Sequence, residues 1–162
     1  MPRPFPILAT VAGLLSLASL AAGVVALPGP HRGLAILATA ATIGAHGSVA
    51  AYFAATGRRV DATAARLGLA DWLGAQAEKN RRKAFAYQAW GVPLALLAGW
   101  SAGSGGGEAW RHALPAASLA FQVGAFAGEY AVIVAQARLV RDLGGRAGRR
   151  GDLAPAGGRS LT

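Results

Sequence analysis

Apolar residues in this chain fall into four long runs that are separated by polar or glycine-rich stretches. Each run has about 20 residues or more, the length with which a helix rising about 1.5 Å per residue crosses roughly 30 Å of hydrocarbon. The pattern therefore predicts an all-α fold, an integral membrane four-helix bundle of two consecutive hairpins. The predicted spans are residues 5–27, 33–56, 84–103 and 112–137.

Helix breakers mark the ends of the first two predicted spans. Pro28-Gly29-Pro30 follows the first span, and Gly57 with Arg58 and Arg59 follows the second. Proline cannot continue a helix, and glycine is common just beyond a helix end. Both spans are therefore predicted to stop there.

The loop 57–83 between the second and third spans contains helix signals of its own. Asp61 is predicted to cap a short helix that ends at Gly68, and Asp71 to cap a helix that continues from Trp72 into the third span. On that extension, Glu78 and Arg82 have the i,i+4 spacing of a helical ion pair.

The composition agrees with a membrane protein, since 54% of the 162 residues are hydrophobic, only 14% are charged, and the mean hydropathy is +0.38. The 16 Lys and Arg residues outnumber the 7 Asp and Glu residues. They lie in blocks between the apolar runs and not on one folded face, so no nucleic acid partner is expected. The chain has no cysteine, which excludes disulfides and thiolate metal sites.

The distribution of positive charge predicts the orientation, because Lys and Arg flanking membrane spans are retained in the cytoplasm. In the four-span arrangement, only Arg32 and Arg111 lie in the two short loops of one side. The other side carries the remaining basic residues, in the N-terminus, the loop 57–83 and the C-terminal part. The N-terminus, this loop and the C-terminus are therefore predicted to be cytoplasmic, in the inner membrane of a bacterium.

The two ends of the chain each carry a prediction of their own. Residues 1–140 are predicted to form the transmembrane domain, and residues 141–162, rich in Gly and Arg, a disordered cationic cytoplasmic tail. Residues 1–26 have an alternative interpretation as a cleaved signal peptide. Their apolar stretch is longer than is usual for such peptides, and cleavage would leave three spans with the same cytoplasmic loop.

A weak internal repeat appears when the chain is offset by 80 residues. Gly44-Ala45 then falls on Gly124-Ala125, and Phe5 on Phe85. A true repeat of this kind would relate two hairpins of parallel topology by an axis along the membrane normal.

The polar residues inside the predicted spans are the candidate site. His46 lies near the middle of the second span and Glu129 near the middle of the fourth, at similar depth in two helices that run in the same direction. Gln122, Glu129 and Gln136 recur every seven residues and so share one helix face. Pro93 in the third span frees a backbone carbonyl at similar depth. We expect these five residues to form an intramembrane polar cluster, with His46 facing Glu129.

Such a cluster admits several functions. It can hold helices in register by hydrogen bonds, or Glu129 can carry a proton or ion in a transporter or channel. A haem or quinone anchor is a third alternative, although His46 is the one histidine in the core. His31 and His112, both expected at the opposite surface from the basic loop, could bind a metal, but two surface histidines rarely do.

The function expected first from the sequence is non-catalytic: a small subunit or assembly partner of a larger membrane complex. Spans made mostly of Ala, Gly and Leu bury few large side chains, so oligomerisation or other subunits would supply packing. No nucleotide-binding, metalloprotease or hydrolase motif is present. Neither an enzyme activity nor a cofactor is therefore predicted, and the expected partners are the lipid bilayer and other membrane subunits or further copies of the chain.

Overall fold

A computed structural model describes residues 4–25, 27–68, 70–104 and 107–152. Within these ranges the chain forms four helices and no strand: α1 (Pro4–Val24), α2 (Pro28–Leu67), α3 (Ala70–Gly103) and α4 (Glu108–Asp152). Consecutive helices pack against each other, and α4 also contacts both α1 and α2. This confirms the predicted all-α bundle of two consecutive hairpins.

Three of the helices contain stretches that are long and apolar enough to cross a membrane: Pro4–Val24, Gly29–Leu67 and Ala109–Ala147. This finding indicates a membrane location. Helix α3 is not among them, because its apolar half includes Tyr87, Gln88, Trp90 and Pro93. That α3 also crosses the membrane stays a prediction.

The predicted end of the second helix at Gly57 was wrong, since α2 continues to Leu67. Glycine inside a helix costs only about 1 kcal/mol relative to alanine, and burial of Val60 and Ala64 beyond it offsets that cost. Asp61 consequently lies exposed within α2 and is not the cap of a separate helix. The helix ends instead at Gly68, whose φ of 64° is readily adopted by glycine.

The other helix boundaries also differ in part from those predicted. Helix α1 ends at Val24, and the prolines at positions 28 and 30 belong to the first turn of α2, where a missing N–H breaks no helical hydrogen bond. Helix α3 begins at Ala70, so Asp71 lies inside its first turn and not before it. The predicted continuation of this helix into the third span is confirmed.

The prediction of a disordered segment from residue 141 was wrong as far as Asp152, where α4 ends. Leu139 and Leu143 are buried and extend the packed face of α4 beyond the apolar span. They join a cluster with the ends of α2 and α3, formed by Val60, Ala64, Leu73, Ala77, Leu139 and Leu143. Residues 153–162, the rest of the predicted tail, lie outside the described residues.

Large apolar side chains lie mainly on the outside of the bundle. Ile7, Leu14 and Trp90 are each more than half exposed, and Trp72, Trp100 and Trp110 are similarly exposed near helix ends. The interior holds many alanines and a set of polar side chains. An apolar exterior around a polar interior is the arrangement that hydrocarbon surroundings favour.

The 80-residue offset aligns the buried faces of α2 and α4 but not those of α1 and α3. Ala45 and Ala125 are both buried at corresponding positions, whereas Phe5 is buried and Phe85 is 67% exposed. The faces of α2 and α4 that correspond in this offset both carry polar side chains, and these faces meet inside the bundle.

Candidate functional site

His46 on α2 and Glu129 on α4 meet inside the bundle. The distance from Nδ1 of His46 to Oε1 of Glu129 is 2.9 Å. The two side chains are 2% and 0% exposed. The predicted contact between them is confirmed, and it is a direct one.

Gln122, two turns before Glu129 on the same face of α4, holds the other side of the imidazole. Its Oε1 lies 3.0 Å from Nε2 of His46, and its Nε2 donates a hydrogen bond of 2.7 Å to the carbonyl of Gly91 on α3. A carbonyl can only accept, so the Gln122 nitrogen must face Gly91 and its oxygen must face His46. Nε2 of His46 therefore carries a proton and donates it to Gln122.

With Nε2 protonated and no net charge on the pair, one proton is left for the contact between Nδ1 of His46 and Oε1 of Glu129. The proton can reside on Glu129, giving a carboxylic acid beside a neutral imidazole, or on His46, giving a carboxylate beside an imidazolium. Without it, two acceptors would face each other at 2.9 Å. The other carboxyl oxygen, Oε2 of Glu129, is buried and has no hydrogen-bond partner in the described part of the chain.

Helix α3 approaches the imidazole closely because residue 91 is glycine. A Cβ at this position would lie 2.5 Å from Nε2 of His46 and 3.3 Å from Oε1 of Gln122. Gln88, one turn earlier on α3, donates a hydrogen bond of 3.2 Å to the backbone carbonyl of His46. On another side the Phe126 ring packs against the imidazole at 5.3 Å between centroids. These contacts hold the ring in one orientation.

Gln136 is buried like Gln122 and Glu129 on the same face of α4, but it belongs to a second polar contact. Its Oε1 accepts a hydrogen bond of 3.1 Å from Nδ2 of Asn80 on α3. Two helical turns, about 10 Å, separate it from Glu129 along α4. The apolar side chains of Val49, Phe53, Val132 and Ile133 occupy the core between these two layers.

The predicted place of Pro93 in the cluster was wrong. Pro93 is exposed on the outside of α3, and the carbonyl that the cluster uses is that of Gly91. Gly44 and Gly47, close to His46 on α2, have open space where a Cβ would stand. The closest approaches occur at glycines that face a neighbouring side chain: Gly91 at His46, Gly99 at Thr39 and Gly128 at Tyr87.

His31, expected at the surface, is buried between α1 and α2. Its Nδ1 lies 2.8 Å from the carbonyl of Ser19. Among the described residues, no group of three or more His, Cys, Asp or Glu side chains is placed to hold a metal ion. The suggested pairing of His31 with His112 therefore has no carboxylate or further histidine to complete it within the described ranges.

The polar interior also contains Asn80, Gln88 and Gly91, which were not predicted to belong to it. Gln88 could have been noticed as an amide inside the third predicted span, whereas Asn80 lies on the predicted helical extension that precedes this span. Gly91 carried no signal of its own, because many glycines of this chain face open space.

An ion-pair network lies at the end of α3 near its connection with α2. Glu78 contacts Arg81 at 2.6 Å and Arg82 at 2.9 Å, which confirms the predicted pair with Arg82. The hydrogen bond from Arg82, together with that from Arg81, lowers the pKa of the Glu78 carboxyl below its ordinary value. This network is largely exposed and is distinct from the buried pair.

No protein-family model matches this sequence, and no curated protein or solved structure is similar to it. The class of protein follows from fold and site alone. The chain is a four-helix bundle of membrane type, and its interior contains a buried His–Glu pair.

Proposed function

We propose that this protein is a polytopic protein of the bacterial inner membrane in which the His46–Glu129 pair binds and releases a proton, as part of a proton-coupled transporter or channel. The observation that carries the proposal is Oε2 of Glu129, a fully buried carboxyl oxygen without a hydrogen-bond partner among the described residues. A group that serves only to join helices gains nothing from such an oxygen.

The hydrogen-bond arrangement defines where an additional proton would go. One proton already occupies the contact between Nδ1 of His46 and Oε1 of Glu129. A second can be accepted at Oε2, which leaves an imidazolium donating to a neutral carboxylic acid. The pair can thus change its charge by one without breaking the contacts that Gln122 and Gly91 provide.

For a purely structural role, an amide at position 129 would serve better than the carboxyl of Glu129. Gln122, Gln136 and Asn80 already join helices in this interior by amide hydrogen bonds. An ionisable side chain at membrane depth costs about 2.5–3.5 kcal/mol on insertion scales, and an amide avoids the charge. Glu129 therefore has a property that the neighbouring amides lack, which is the exchange of a proton.

The other expected functions relate to this proposal in different ways. A proton site can belong to a transporter that acts alone or to a small subunit of a larger membrane complex, so the expectation of a partner subunit stays a prediction. Haem ligation by His46 would require breaking its contact with Glu129 or with Gln122, because both ring nitrogens are engaged.

Proton flux into proteoliposomes tests the proposed function. Glu129→Gln should abolish flux while the fold is retained, because the new amide can donate to Nδ1 of His46 but cannot exchange a proton as a carboxyl does. The matched control is Glu78→Gln, which removes an exposed carboxyl from α3 and should leave flux unchanged. Undiminished flux in a folded Glu129→Gln protein would contradict the proposal, as would an absence of flux in the unmodified protein purified together with any partner subunits.

The orientation in the membrane is part of the same proposal and has its own test. The connection between α2 and α3 and the C-terminus should be cytoplasmic, because basic residues are concentrated there. Reporter fusions at Gly74 and Gly157 should show cytoplasmic activity, and a fusion at Gly105 periplasmic activity. A periplasmic reporter at Gly74 would reverse the proposed arrangement.

A further inference from the structure

A small cavity with hydroxyl groups on its wall lies between the helices on one side of the His46–Glu129 pair. We call this side the far end of the bundle, which contains the α1–α2 and α3–α4 connections, and the opposite side the basic end. The cavity has a volume of about 30 Å³. Its hydroxyl-bearing residues are Ser16, Ser19, Thr39, Thr42 and Ser118. Thr42 lies one turn before His46, and Ser118 one turn before Gln122.

Three of these hydroxyls already donate to backbone carbonyls. Ser16 donates to Ala12, Ser19 to His31, and Thr39 to Ala35 or Ala95. Each keeps oxygen lone pairs that can accept a hydrogen bond. The cavity therefore offers hydrogen-bond acceptors from α1 and from α2.

The remaining two hydroxyls have no hydrogen-bond partner in the part of the chain that the structure describes. Thr42 is 2% exposed and Ser118 is 6% exposed, and both line the cavity. A hydroxyl in a largely buried residue that makes no hydrogen bond costs free energy, about 1–3 kcal/mol where the group is fully buried. Two such groups on one cavity indicate that something polar binds between them.

Size and charge identify this ligand as water. A volume of about 30 Å³ holds about two water molecules, and the wall offers both donors and acceptors to them. No carboxylate is among the residues that line the cavity, so it lacks the negative charge that a bound cation would require.

We propose that this cavity binds ordered water between Thr42 and Ser118, and that this water connects the His46–Glu129 pair to the far end of the bundle. On the other side, the apolar layer of Val49, Phe53, Val132 and Ile133 separates the pair from the Asn80–Gln136 contact and so from the basic end. In this conformation the pair exchanges protons with the far end only.

The groups around the pair do not offer a competing route. Helix α1 contributes the Phe5 ring, which packs on Phe126, and α3 contributes Gly91 and Gln88. Another titratable side chain on the elements packed against the pair is Tyr87 of α3, which lies against Gly128. No further charged side chain contacts the pair among the described residues.

The test rests on the proposed function and uses the full chain in proteoliposomes of uniform orientation. The carboxyl vibration of Glu129, assigned by its absence in Glu129→Gln, is followed while the pH is changed on one side only. A response to pH at the far end, with none at the basic end, supports the proposal. A response to the basic end alone overturns it and leaves the proposed function standing, whereas no response to either side overturns both.

Hydroxyl removal tests the water itself. Thr42→Val and Ser118→Ala should each slow the response to far-end pH by about tenfold, the loss expected when one hydrogen bond to the water is removed. The control is Thr56→Val, because the Thr56 hydroxyl donates to the Tyr52 carbonyl beyond the apolar layer and should not affect the rate. Unchanged rates in folded Thr42→Val and Ser118→Ala proteins would show that the cavity is not the route.

Discussion

Replacing His46 by leucine is expected to destabilise the bundle by about 3 kcal/mol, because removal of one partner from a buried pair leaves the other uncompensated. Glu129 would then be fully buried with neither carboxyl oxygen satisfied by the side chains described. The expected loss can be measured as a change in the free energy of unfolding, by denaturant titration of the protein in mild detergent.

The double variant His46→Leu/Glu129→Leu provides the matched comparison. It also lacks the imidazole that satisfies Gln122, so that loss is common to both proteins. It differs from the single variant because the unpaired Glu129 carboxyl is also removed, and it should recover most of the lost stability. Equal stability of the single and double variants would show that Glu129 does not depend on His46.

Replacing Gly91 by alanine is expected to displace the imidazole and to destabilise the bundle by about 1–3 kcal/mol through overpacking. The added Cβ would stand 2.5 Å from Nε2 of His46. The ring cannot turn away without losing its contact with Glu129 or with Gln122. Nitrogen NMR of His46 should report the altered hydrogen bonding, and unfolding in mild detergent the altered stability.

Gly44→Ala is the control for this substitution. Gly44 lies on α2 close to His46 in sequence, but its Cβ would meet nothing within 4 Å. Alanine there should be neutral, or should stabilise the helix by up to about 1 kcal/mol. A Gly91→Ala protein as stable as Gly44→Ala, with an unchanged His46 spectrum, would contradict the close packing of α3 on the imidazole.

Much of the fold was predictable from local pattern. The four apolar runs predicted four helices, because helix length and hydropathy depend on consecutive residues. The ends of the helices were less predictable. Gly57 and its following arginines resemble a helix end, yet α2 continues to Leu67. The continuation is favoured by Val60 and Ala64, whose burial depends on α3 and α4 and not on neighbouring residues in sequence.

The C-terminal part also shows that the end of a helix depends on residues distant in sequence. Its composition predicted disorder from residue 141, because Gly and Arg offer little apolar surface to bury. The structure continues α4 to Asp152, and Leu143 packs with Leu73 and Val60 of other helices. A single leucine in a polar segment is a weak signal until the surface that receives it is known.

For the candidate site, the sequence by itself determined how far along its helix each polar residue lies and on which face of the helix. The seven-residue spacing of Gln122, Glu129 and Gln136 places them on one side of a helix, and the cost of polar groups in hydrocarbon directs that side inward. All three side chains are indeed buried. Similar depth in parallel helices also predicted that His46 would meet Glu129, and the two are 2.9 Å apart.

Only the tertiary structure decided which partners these side chains have. Gln136 pairs with Asn80, Gln122 joins His46 to the Gly91 carbonyl, and Pro93 faces outward. Helix periodicity defines which residues share a face. The rotation and separation of neighbouring helices depend on the shapes of all the side chains between them, and those contacts join residues that are distant in sequence.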